Sequence, residues 1–161
     1  MKYFLIIVAA LCVITLVNIL LESHRENKKI SFSSYRIKDK RLKKNAKIVM
    51  ISDLHNACYG EKNSELLHVV ETISPDLILV AGDVIVGKTG LSVDTGVDFL
   101  NSLGESFPVF VGKGNHEMRT SIYEKYGDMW ETLYERTKDK VHWLINDSIY
   151  LADYNLSLIH I

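Results

Sequence analysis

The chain has 161 residues, enough for one modest domain, and its 47% hydrophobic and 24% charged content is globular rather than disordered. A formal net charge of -1 conceals an asymmetry: residues 22–47 carry ten lysines and arginines against three acids, and residues 48–161 carry eight against seventeen. A basic arm therefore precedes an acidic body, which argues against duplex nucleic acid as a partner, because phosphate contacts need clustered Lys and Arg.

The N-terminal stretch YFLIIVAALCVITLVNILL, Tyr3 to Leu21, is uncharged and apolar apart from Asn18. That length spans a bilayer as one helix. A cleaved signal peptide needs a shorter apolar core and a small-x-small site, and VNILLESHR offers neither. Leu11 stands where a lipoprotein-type cysteine requires a small residue, so Cys12 reads as a thiol within the span. The only other cysteine is Cys58, and two cysteines so placed leave no disulfide framework. Residues 1–21 are thus expected to form an uncleaved anchor, and residues 22–46 a basic juxtamembrane linker with one strand-like piece, ISFSSYRI. Arg25, Lys28, Lys29, Arg36, Lys38, Lys40 and Arg41 follow the span and Lys2 alone precedes it. The positive-inside rule then predicts a cytoplasmic body, with the arm against anionic headgroups, and an extracytoplasmic body is the alternative.

From Lys47 the pattern is regular. KIVMIS, Lys47 to Ser52, reads as a buried strand. NSELLHVVETIS places Leu66, Leu67, Val69, Val70 and Ile73 at helical spacing, with Asn63 or Ser64 as cap and Pro75 as its end. DLILVAG is a second strand, and SVDTGVDFLNSLG a second helix with Val97, Phe99 and Leu100 inward and Gly104 as its stop. PVFVG is a third strand. A longer helix is expected over residues 121–138, with Ile122, Tyr126, Met129, Trp130 and Leu133 on one stripe. VHWLI and SIYLAD flank Asn146-Asp147 and read as a hairpin. Strand-helix-strand-helix-strand order predicts an α/β fold with a parallel sheet and right-handed crossovers, whose strand carboxyl ends form the ligand edge.

All three strands end in polar clusters. The first gives SDLHN with Asp53 and His55, the second AGDVIVG with Asp83, and the third GKGNHE with Asn115 and His116. GNHE alone is an ordinary turn signal, since Gly and Asn adopt left-handed backbone readily. Three such ends, each about one strand-helix unit apart, are expected to converge on one edge. Carboxylates, imidazoles and an amide oxygen suit moderately hard divalent metals, and a structural-zinc cysteine cluster is lacking. Two such ions can clamp phosphate oxygens during in-line displacement, with a bridging carboxylate setting their spacing and an imidazole serving the leaving group. Gly82 and Gly114 would let backbone approach the site.

These residues resemble the calcineurin-like metallophosphoesterases, and ISDLHN, PDLILVAGDVIVGK and GNHE look like the membrane-anchored bacterial members in particular. The resemblance covers about Lys47 to Asp153. It implies an α/β sandwich and a phosphate-containing substrate, either an ester or a pyrophosphate. It implies two divalent ions of Mn, Fe or Zn, with Asp53 and His55 on the first, Asp83 bridging both and Asn115 on the second. His116 would meet the leaving group or phosphoryl oxygen without binding metal, and Glu117 would orient His116.

The chain departs from the family beyond His116. Members carry a later lone His and a Gly-His-x-His motif, which His142 and His160 do not supply, and His68 reads as a helix surface residue. Only the first sheet and its helices are expected within residues 47–155, with one face of that sheet uncovered. A non-catalytic membrane scaffold and an inactive fragment are the alternative readings. The DNA string ctg-tct-ctt-ata-cac-atc, which resembles a transposon-end adapter from sequencing libraries, would encode the final residues 156–161, LSLIHI. The natural gene is expected to diverge near Leu156, so His160 is not counted as a ligand.

Overall fold

The computed structural model describes residues 1–26 and 29–160, in two compact units, residues 1–36 and 37–161. Lys28 and Ile161, named above, lie outside the described residues.

In the first unit, α1 runs over Lys2–Glu26, and its Lys2–Ser23 portion is long and apolar enough to cross a membrane. Two polar side chains in the middle of this helix bond within it. Thr15 Oγ1 donates to the Leu11 carbonyl at 2.8 Å, and Asn18 Nδ2 donates to that of Ile14 at 3.0 Å. Such internal satisfaction is what a hydrocarbon environment demands. Residues 30–37 join no ladder, so the expected strand-like piece is not a strand.

The second unit is built on a parallel sheet of β1 (Ile48–Ile51), β2 (Leu77–Val80), β3 (Val109–Gly112) and β4 (His142–Leu144), in the order β1-β2-β3-β4. Side chains alternate cleanly between its faces. Val49, Ile51, Ile78, Val80, Val109, Val111 and Trp143 face a core shared with α2 (Ser64–Ile73), α3 (Asp94–Ser106) and α5 (Met129–Thr137), which contribute Val70, Val97, Phe99, Leu100, Leu103 and Leu133. Leu77, Phe110 and Leu144 face the other way and pack with Leu158. Continuous apolar runs, rather than alternation, follow from both faces being used.

Four expectations need correction. First, the chain does not stop at one sheet. β5 (Asp147–Leu151) and β6 (Leu156–His160) form a second, antiparallel sheet, and Ile149, Leu151, Leu156 and Leu158 pack on the far face of the first. A segment that alternates Leu156 and Leu158 with Ser157 and Ile159 pairs readily whatever its origin. That sheet leaves Met50 68% exposed on β1. Second, Asn146-Asp147 does not close a hairpin: β4 lies parallel to β3, with Phe110 opposite His142, and β5 pairs with β6 instead. Trp143 decides this, because its ring packs against Trp130 in α5 and its Nε1 donates to Thr137 Oγ1 at 3.0 Å.

Third, Gly104 lies inside α3 rather than at its end. A Cβ there would sit 2.3 Å from the Lys140 carbonyl oxygen, so this glycine permits contact with the segment before β4. The helix stops because Phe107 is extended, as a residue preceding a proline is driven to be. Fourth, the expected 121–138 helix is two, α4 (Asn115–Ile122) and α5, separated by a 3-10 turn at Glu124–Tyr126 and by Gly127 at φ 60°. Gly104→Ala should lower stability by about 1–3 kcal/mol, since backbone rather than a movable side chain blocks the new methyl. Urea unfolding of the full chain in detergent, followed by the fluorescence of Trp130 and Trp143, checks this.

Candidate metal centre at the strand ends

The loops after β1 and β2 are joined by backbone hydrogen bonds. Asp53 N–H donates to the Gly82 carbonyl at 3.3 Å, His55 N–H to that of Asp83 at 2.9 Å, and Asn56 N–H to that of Val84 at 2.9 Å. Making these bonds takes Asp53, His55, Asn56 and Asp83 into left-handed backbone at φ 56°, 48°, 58° and 55°. Such conformations cost free energy and persist where surrounding contacts over-determine them. Gly82, at φ 100°, meets Gly114 backbone against backbone: a Cβ on Gly82 would lie 2.4 Å from Gly114 N, and one on Gly114 would lie 2.3 Å from Asp83 N. Both glycines are therefore required by close approach, as the sequence suggested.

Asp83 is the hub. Its Oδ1 accepts the His116 backbone N–H at 2.8 Å. With its amide oriented by hydrogen-bond logic, the Asn115 side-chain nitrogen donates to the same oxygen at 2.8 Å. Glu117 is fully buried, and its Oε2 and Oε1 accept the N–H groups of Asp83 and Ile85 at 2.8 and 3.1 Å. The carboxylate in the first turn of α4 thus fixes the loop that carries Asp83, favoured there by the helix dipole. This is a different partner from the expected one, His116.

The ligand atoms of His55, Asp83 and His116 lie within 4.8 Å of one another. The His55 and His116 rings meet edge to face at 4.6 Å between centroids. Asp53 stands beside this group, its Oδ1 3.5 Å from His55 Nε2, and Ser52 Oγ donates to its Oδ2. The His55 imidazole and the Asp83 carboxylate, half-buried beside His116, fit a divalent ion of borderline softness. Lys113, inside GKGNHE, turns away: its Nζ donates to Ser121 Oγ at 2.8 Å and lies 4.0 Å over the Trp130 ring, and burial lowers its pKa. Cys58 is exposed, and its thiol donates to the Gly60 carbonyl.

His116 has partners that sequence reading missed. Its Nδ1 receives the Gly87 N–H at 3.0 Å and lies 3.0 Å from Arg119 Nη2. Positions three apart on a helix are neighbours. The signal for Arg119 was therefore available once α4 is known to begin at Asn115 rather than near Ser121.

Comparison with known proteins gives the family. The calcineurin-like phosphoesterase family matches residues 46–159, and the chain belongs to it. The chain is 28% identical over 113 residues to Uncharacterized metallophosphoesterase Cj0846 of Campylobacter jejuni. That match covers 69% of this chain and 28% of the relative, so the chain spans less than a third of that protein's length.

Glu117→Gln should cost about 1–3 kcal/mol of stability, because an amide nitrogen then faces one of the two buried N–H donors. It should also weaken metal binding by roughly 10–100-fold, the usual cost of losing an outer-shell partner. Unfolding curves and a manganese titration of the same variant measure the two effects.

Proposed function

We propose that this chain carries the metal-binding strand ends of a membrane-anchored phosphoesterase that hydrolyses a phosphate ester or pyrophosphate at a two-metal centre. The convergence of His55, Asp83 and His116 within 4.8 Å, from three successive strand-end loops, carries this reading. Asp53 and His55 would hold the first ion, Asp83 would bridge, and Asn115 would turn its amide oxygen to the second. When bound, the ions, Mn, Fe or Zn, would supply charge that polarises phosphate oxygens. The chain's own part is positional. Asp83 is held by Glu117 from behind and by the His116 N–H in front. His116 presents its imidazole beside the ligand group, where a phosphoryl or leaving-group oxygen would arrive.

The anchor in this reading is α1, followed by a basic arm in which Phe32, Tyr35 and Ile37 are exposed. Aromatic and cationic side chains together suit an anionic lipid surface. By the positive-inside rule the excess of Lys and Arg after the span favours a cytoplasmic body over an extracytoplasmic one, and resistance of the body to protease added to intact cells is the expected result.

The chemistry is tested with manganese-stimulated hydrolysis of p-nitrophenyl phosphate by a full-length protein containing this domain. Asp83→Asn should reduce turnover by more than the roughly 10–100-fold typical of an outer-shell loss. Cys58→Ser should leave metal content and turnover unchanged. Metal-independent hydrolysis, or retained activity in Asp83→Asn, contradicts the proposal.

A further inference from the structure

Two hydrogen-bond donors converge on a single ring atom of His116. The Gly87 backbone N–H is 3.0 Å from Nδ1, and the Arg119 guanidinium is 3.0 Å from the same atom. Neither group can accept a hydrogen bond. Nδ1 must therefore offer its lone pair, and a neutral imidazole then carries its hydrogen on Nε2. Turning the ring over would set Cδ2 against both donors, so the contacts fix orientation and tautomer together. The Gly87 loop is seated tightly on α4: a Cβ at Gly87 would lie 3.2 Å from Thr120 Cγ2 and 3.3 Å from the His116 carbonyl oxygen. Arg119 is exposed and bonds His116 from one turn further along the same helix.

We propose that Arg119 is a positioning residue: with the Gly87 N–H, it holds His116 as the Nε2–H tautomer. That tautomer suits the role the family resemblance implies for His116, a hydrogen-bond donor beside the metal and not a ligand, although its ring lies within ligand distance of His55 and Asp83. A nitrogen that bears hydrogen has no lone pair for a cation, and the other nitrogen's lone pair is already taken by two donors. The identity of the oxygen that receives the Nε2–H rests on the phosphoesterase reading. The tautomer does not.

The test uses ring-15N histidine NMR on the full chain in detergent micelles, with His116→Asn for assignment. Spectra are taken at about pH 8.5, where imidazoles with an ordinary pKa near 6.5 are neutral. The wild type should show His116 with an unprotonated Nδ1 and a protonated Nε2. Added Zn²⁺ should shift a His55 nitrogen and leave the His116 pattern in place. Arg119→Ala should move the His116 tautomer ratio about three- to tenfold toward Nδ1–H, the effect of losing one hydrogen bond, and Arg119→Lys should recover part of it. An Nδ1–H tautomer in the wild type, an unchanged ratio in Arg119→Ala, or Zn²⁺ coordinated by His116 overturns the proposal. These readouts need no turnover, so a chain that hydrolyses nothing would count against the phosphoesterase reading and leave this result standing.

Discussion

Gly82 and Gly114 touch backbone to backbone, and the site depends on that contact. A methyl on either would lie within 2.5 Å of the other loop's main chain, at the point where β2 and β3 release the chain. Because the two loops can meet, the Asp83 carboxylate reaches the N-terminus of α4. There it accepts the His116 N–H, and Glu117 reaches back beneath it to the N–H groups of Asp83 and Ile85. Removing the contact would separate the second strand's acid from the third strand's histidine. A parallel sheet supplies the common edge, but only this close approach converts an edge into a site.

Strain and burial are coupled here. Asp53, His55, Asn56 and Asp83 hold left-handed backbone, which the chain would leave without the three hydrogen bonds joining the first two loops. Those bonds keep their geometry because the strands beneath are packed on one face by α2, α3 and α5, with Ile78, Val111, Phe99 and Leu133 wholly enclosed. A rigid scaffold thus carries polar loops whose conformations are unfavourable one at a time.

The three parallel strands and the first two helices of this unit were legible in the sequence because each rests on hydrophobic pattern. β1, β2 and β3 fall inside KIVMIS, DLILVAG and PVFVG, and α2 ends just before Pro75. Convergence of the strand ends was legible from their equal spacing, and the family match extends to residue 159. The start of α4 was not legible, because its buried residues are Glu117 and Thr120 and its inward face is polar. A reader of apolar periodicity therefore begins the helix too late and misses Arg119 beside His116. The β4–β5 connection misled for a different reason: Asn146-Asp147 is a sound local turn signal, but packing of Trp143 on α5 sends β4 into the parallel sheet.

The central proposal is that the ends of β1 and β2 would hold a metal ion through His55 and Asp83, with His116 beside it from the end of β3. Anomalous diffraction at the zinc edge, from crystals of the chain grown with Zn²⁺, tests it most directly. The account predicts a peak about 2.0–2.2 Å from a His55 ring nitrogen and an Asp83 carboxylate oxygen, the usual zinc distances. A peak held instead by the acidic residues Glu124, Asp128 and Glu131, with His55 and Asp83 unligated, would contradict it.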